Sequence, residues 1–428
     1  MTLTPLRKFV PIALFLLGAP LAAEEVVPVP RSFTLGAQIR LRAEGIKNRD
    51  LRSDRDDSDA FALSRVRISL GFRIGDNLQA LAEFQDSRTF GSEVSTTSNE
   101  KNLDLRQGFL RIGSDATFVK LGRQPLTFGE QRLVGDFDWD NVGRVFDAAY
   151  GRYTFLPQRL AVEGFFAKVK ESPAAPERDD TDFAGVVFKL TQKDTFLAEP
   201  YVFWLHAGER DALGNDRTTT TFGARLHGKA FSHLVWDAEG AFQTGSDLNL
   251  DRRAWAFAGY LRWEMGGVLN PSLAFEWSRA TGDGNSNDGR SEEFDNLFPT
   301  NHLKYGFLDL LGLRNNQMLG LAAGIAGERP LPGAKPAPWS LRLIGRLLAL
   351  EDERGAWKAA SGVVLGRDAS GASGKRVGTE LDLVGVYPVM PGLAAHLQAG
   401  WFVPGAFAKA VRGPDDALGG AFYLVFSY

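Results

Sequence analysis

Apolar and polar side chains alternate along this chain with a period of two, again and again. From Phe33 to Glu44, the residues Phe33, Leu35, Ala37, Ile39 and Leu41 share one face, while Gln38, Arg40, Arg42 and Glu44 share the other. Val66, Ile68, Leu70 and Phe72 oppose Arg65, Arg67 and Arg73. Trp255, Phe257, Gly259, Leu261 and Trp263 oppose Tyr260, Arg262 and Glu264, and Leu381 and Leu383 oppose Glu380 and Asp382. Each stretch predicts a β-strand with one apolar and one charged face.

A single strand of this kind fits a sandwich core as well as a lipid-facing wall. Three features favour lipid. The alternating stretches are joined in turn by short connections, such as Ile74-Gly75-Asp76-Asn77, and by longer polar loops, the asymmetry expected when the two ends of a barrel face different compartments. Aromatic residues stand near strand ends, as with Trp255 and Trp263 or Trp236 and Phe242, which suits interfacial girdles. The last strand places Phe422, Leu424, Phe426 and Tyr428 on one face, resembling the terminal strand of outer-membrane barrels. In lipid every backbone amide must be paired, so the strands must close on one another. The expected fold is therefore all-β: a transmembrane antiparallel up-and-down barrel of 16 to 18 strands, 18 preferred, at roughly 45 residues per hairpin. A barrel of that size encloses an aqueous lumen. Two segments read as loops rather than strands: Glu171 to Thr181, and the Gly/Pro-rich Gly324 to Pro338.

Composition narrows the compartment and the chemistry. Arg7 and Lys8, the apolar run Phe9–Gly18 and the small residues up to Ala22 and Ala23 read as a cleaved secretory signal over 1–23, leaving 24–428 as one barrel domain. The run is too short for a membrane-crossing helix. Without cysteine in 428 residues, disulfide frameworks, thiolate metal sites and cysteine nucleophiles are excluded. The net charge of -3 argues against nucleic acid as a partner. The five histidines, His206, His227, His233, His302 and His396, show no zinc-ligand spacing, and no nucleophile-elbow motif occurs. An outer-rim hydrolase built on His206 with Glu209 and Asp211 is the rival enzymatic reading. Two acidic runs, Asp54/Asp56/Asp57/Asp59 and Asp283/Asn285/Asn287/Asp288, lack the spacing of a helix–loop–helix calcium site and read as solvated loops. No cofactor is implied.

Parity supplies the lumen inventory. Inward bases are Arg40, Arg42, Arg65, Arg67, Arg73, Arg225, Lys229, Arg262, Arg342 and Arg346; inward acids are Glu44, Glu83, Asp237, Glu239, Glu264, Glu276, Glu380 and Asp382. Arginine stays charged and can hold a carboxylate through two parallel hydrogen bonds. The plainer alternative is that these charges pair across neighbouring strands and fill the wall.

From Leu121 to Ala149 the chain reads LGRQPLTFGEQRLVGDFDWDNVGRVFDAA. Downstream come TGDGNSNDG, FDNLFPTNH, GFLDLLGLRN, GTELDLVGVYPV and GWFVPG, in that order. Together these resemble the alginate export family of outer-membrane proteins. The resemblance implies an 18-stranded monomeric barrel with loops restricting both mouths. It also implies an arginine-rich lumen that passes an anionic polysaccharide outward. The partners would be that polysaccharide or a small anionic solute, outer-membrane lipids and periplasmic export components. Arg123 and Arg144 join the candidate pore residues through the matching block, although Arg123 shares the face of Val119 and Leu121 and needs a bulge or an inward-folded loop to reach the lumen. Trp139 and Asn141 are expected to shape that loop. Where the alginate exporter is expected to carry paired arginines, this chain has His396-Leu397-Gln398, which leaves open a branch with another cargo, including small anions taken up through a porin.

Overall fold

The computed structural model describes residues 31–428 apart from 94, 96–101, 172–179, 193–194, 209–213, 232 and 286. The proposed signal segment and the centre of the Glu171–Thr181 loop lie outside the described residues. Strands follow one another as β1 (Arg31–Lys47), β2 (Asp59–Ile74), β3 (Leu78–Thr89), β4 (Asp104–Gly113), β5 (Thr117–Gln124), β6 (Phe146–Leu156) and β7 (Leu160–Lys170). Next come β8 (Thr181–Gln192), β9 (Phe196–Ala207), β10 (Arg217–Ala230), β11 (Leu234–Asp247), β12 (Leu250–Glu264) and β13 (Ser272–Ala280). The series ends with β14 (Arg290–Ser291), β15 (Asn316–Leu331), β16 (Ala334–Ala349), β17 (Ala356–Lys358), β18 (Val364–Arg367), β19 (Arg376–Met390), β20 (Leu393–Pro404), α1 (Ala406–Val411) and β21 (Ala417–Ser427).

Setting aside the short loop ribbons β14, β17 and β18, each strand pairs antiparallel with the next. The last returns to the first, with Arg40 opposite Val425 and Arg42 opposite Tyr423. The result is a closed barrel of 18 strands. Closure leaves no edge, as a wall in lipid requires. Leu35, Ile39, Leu41, Ile68, Leu70 and Phe72 are exposed on the outside, whereas Arg40, Arg42, Arg65 and Arg67 are buried inside. The alternation therefore has the sense read from the sequence. Trp204, Phe242 and Trp401 sit toward the long-loop end of the outer face, and Phe72, Phe155, Trp263 and Tyr387 toward the other end. In outer-membrane barrels the short turns face the periplasm.

The segment Gly324 to Pro338 corrects the sequence reading: it is strand, not loop. β15 continues to Leu331, and β16 starts at Ala334 after a two-residue turn. Its prolines are tolerated for local reasons. The register shifts at Pro330, and Pro336 and Pro338 lie where β16 extends beyond its other neighbour, whose pairing begins at Ser340. A proline there removes no ladder hydrogen bond on the free side.

Candidate transport path

Two long connections do not stay outside; they fold into the lumen and meet there. The β5–β6 connection (125–145) runs parallel to part of the β13–β15 connection (281–315). Phe298 N donates to Leu133 O at 2.9 Å, Gly135 N to Phe298 O at 2.9 Å, and Thr300 N to Gln131 O at 2.9 Å. Arg144 staples the junction, donating to Gly135 O and to Pro299 O. Both connections bury apolar side chains against inward-facing aromatics on β7, β8 and β9. Phe128 stacks on Phe165, and Phe298 meets Phe183 with ring centroids 4.9 Å apart. Phe183, Phe203, Phe294 and Leu126 are almost completely buried. This inner wall is thus a hydrophobic core for a plug rather than the polar lining that parity alone suggests.

The tip of the first connection, Asp136-Phe137-Asp138-Trp139-Asp140-Asn141, is gripped by the arginines of β1, β2 and β4. Arg40 donates to Asp138 O at 2.8 Å and Asp140 O at 2.9 Å. Arg65 donates to Asp138 O and to its carboxylate, both at 3.0 Å. Arg67 is 2.7 Å from the other carboxylate oxygen, with Arg106 at 3.5 Å. Arg42 donates to Trp139 O and pairs with Glu44. Arg65 and Arg67 hold the Asp138 carboxyl below the usual carboxylate range, outweighing a burial that by itself would raise it. Trp139 lies between the Arg42 guanidinium, 4.1 Å from its ring, and the His302 imidazole, stacked at 3.8 Å. Asn141 donates to Ser64 O and Arg88 O. Trp139 and Asn141 thus shape the loop as expected.

The second connection is anchored from beneath. Glu380 accepts from Leu308 N, Asp382 accepts from Phe307 N, and Arg346 bridges Asp382, Glu276 and Leu303 O. Gly306 adopts φ +124°, where a Cβ would collide with the Glu380 carboxylate. Arg225 is held by Asp237, Glu199 and Glu130, and Arg132 of the first connection sits beside Asp237 and Glu239.

The residues read from the sequence therefore divide. Arg40, Arg42, Arg65, Arg67, Arg144, Arg225, Arg346, Glu380 and Asp382 are gathered at the plug and used to hold it. Arg123 sits at the long-loop rim of the outer face, paired with Asp147 at 2.9 Å and near Asp104 at 3.6 Å. It does not reach the lumen because β5 keeps its parity to the end and Gln124, not Arg123, points inward. Arg73, Arg262 and Arg342, with Lys229, lie nearer the short turns. Parity misses Asp138, Arg132 and Lys304, which are loop residues. The repeated acid of Asp136, Asp138 and Asp140 is the one signal that marks the tip. Arg106 is missed because a register shift between Glu83 and Phe84 alters the β3–β4 pairing there. His206 bonds Thr218, while Glu209 and Asp211 lie outside the described residues. In the acidic runs, Asp57, Asp283 and Asp288 accept backbone N–H groups of their own loops.

Below the plug, toward the short turns, the charges are differently placed. Arg73, Lys120, Lys229 and Arg342 have no carboxylate within ion-pair distance among the described residues. Among the described residues, Arg262 forms its ion pair with its neighbour Glu264. A cavity of about 280 Å³ opens here, lined in part by Tyr260, Arg262, Glu276, Lys304, Arg342 and Arg346. Burial, with Arg132 alongside, pushes the Lys304 ammonium down to about 8.

An apolar belt around a closed barrel, a charged interior and inward-folded loops define an outer-membrane β-barrel channel. The chain belongs to the alginate export family, whose match spans residues 31–417. Its fold is similar to crystal structures of Pseudomonas aeruginosa OccK11 (OpdR), at a TM-score of 0.59 and 11% identity over 92% of this chain and 95% of that one. It is similar also to Pseudomonas aeruginosa OpdO, at 0.59 and 12% over 92% and 97%. A third is Pseudomonas aeruginosa OpdK, crystallised with vanillate, at 0.54 and 12% over 92% and 98%. Among curated proteins there is no match.

Proposed function

We propose that this channel acts as a monomer and passes an anionic polysaccharide, an alginate-like polyuronate, outward by passive diffusion. The supporting observation is the tier of exposed cations on the short-turn side, Arg73, Lys229 and Arg342, joined by Arg262 and Lys304 at the cavity. They lie on the side where a polymer leaving the periplasm would first meet the lumen. Separate weak sites suit conduction, because one tight site would trap the chain. The plug arginines already have partners in this conformation, so the first recognition falls to the lower tier.

A second reading is uptake of a small anionic solute. The cavity volume suits a single small acid, and the similar OpdK structure holds vanillate. Planar-bilayer recordings separate the two. The polysaccharide reading expects anion-selective currents that oligouronates block from the short-turn side. The triple variant R73E/K229E/R342E should invert the ion preference. Cation-selective wild-type currents indifferent to oligouronate overturn the polysaccharide reading.

A further inference from the structure

The Asp138 tip is bound as a ligand would be bound. One carboxylate and the carbonyls of residues 138, 139 and 140 occupy four arginines contributed by β1 and β2, with Arg106 of β4 closing in at 3.5 Å. The arginines carry more donors than the tip satisfies: Arg40 Nε, Arg65 Nε, Arg67 Nη2 and Arg106 Nε are buried without a hydrogen-bond partner among the described residues. Buried guanidinium N–H groups left unpaired are costly, and an anion richer in oxygens than one aspartate would satisfy them.

We infer that Arg40, Arg42, Arg65, Arg67 and Arg106 form a carboxylate-binding subsite that Asp138 occupies as an internal stand-in, and that a uronate residue of the cargo takes its place when the loop withdraws. The inference rests on the polysaccharide reading for its ligand, but the subsite itself is carried by the arginine geometry. Binding and loop release are then one equilibrium. The cargo's affinity is reduced by whatever fraction of time Asp138 fills the site, so removing the stand-in tightens binding. The lower-tier cations deliver the polymer to a platform vacated in this way.

The test uses the full-length protein in planar bilayers with two probes, oligouronate and acetate. Asp138→Asn keeps the tip's shape and removes its charge; we expect block at about tenfold lower oligouronate concentration than in the wild type. A double variant, S87C/N141C, exploits a chain with no cysteine of its own and a contact in which Ser87 Oγ donates to Asn141 O at 2.7 Å. Its oxidised form should lose the block and recover it on reduction. Equal blocking concentrations in wild type and D138N, or equal block of the oxidised and reduced double variant, overturn the inference. Block by acetate but not by oligouronate retains the subsite and overturns the polysaccharide reading. Block by neither probe overturns both.

Discussion

Single side chains decide how the positive charge of this lumen is used. Parity identified Arg40, Arg65 and Arg346 as inward, and they are inward. Whether an inward arginine is available depends on what stands opposite it, and that is set by residues distant in the chain, 73 positions away for Arg65 and Asp138. Arg65 meets Asp138, whereas Arg342 meets water. The same contrast applies to Lys304, which reaches the cavity from a connection. Its ammonium is held at about 8 by burial and by Arg132, so it is charged below that pH and neutral above it. Anion preference should therefore weaken as pH rises from 7 to 9. Reversal potentials in a salt gradient measure this, and Lys304→Gln should flatten the pH dependence. A wild-type preference constant across that range would remove Lys304 from the path.

Among the elements, strands and loops follow different rules. The strands obey a two-residue period because one face meets hydrocarbon and the other does not. Their identity and outward sense were therefore legible, down to the turn at Ile74 to Asn77. The Gly324–Pro338 stretch was misread because glycine and proline signal a break only where both backbone edges are paired. There β15 and β16 project past their neighbour. The inward connections obey no period. Their seats depend on close approaches such as Gly306 against Glu380. Gly306→Ala should unseat the second connection without opening the barrel, because the wall strands keep their own ladder. The expected result is larger, noisier single-channel current with unchanged heat-modifiable gel mobility. Current identical to the wild type would show that the Glu380 anchor is not needed to hold the plug.

For the whole molecule, the relevant quantity is the distribution of charge rather than its sum. The chain is slightly acidic overall, yet in the lower tier Arg73, Lys229 and Arg342 are exposed and have no carboxylate within ion-pair distance among the described residues. Such charges act through solvent and are screened by salt, with a Debye length of about 10 Å at 0.1 M and about 3 Å at 1 M. The anion preference should consequently fall as salt is raised over that range. The plug arginines, buried against their acceptors, should hold their loop throughout. Permeability ratios at several salt concentrations check this, and a salt-independent ratio would place the selectivity filter among buried charges.

The order of residues alone settled that this chain is a barrel in a membrane, and which face of each strand meets lipid, because a period-two pattern is a local property of extended backbone. The family resemblance, carried by linear motifs, was equally open to reading, and the match over residues 31–417 agrees with it. Folding in space decided the rest: that two connections enter the lumen, that aromatics on β7 to β9 build a core for them, and that an aspartate from one of them fills the arginine platform. Those pairings join residues far apart in the chain through packing and opposite charge, and neither leaves a periodic trace along the backbone.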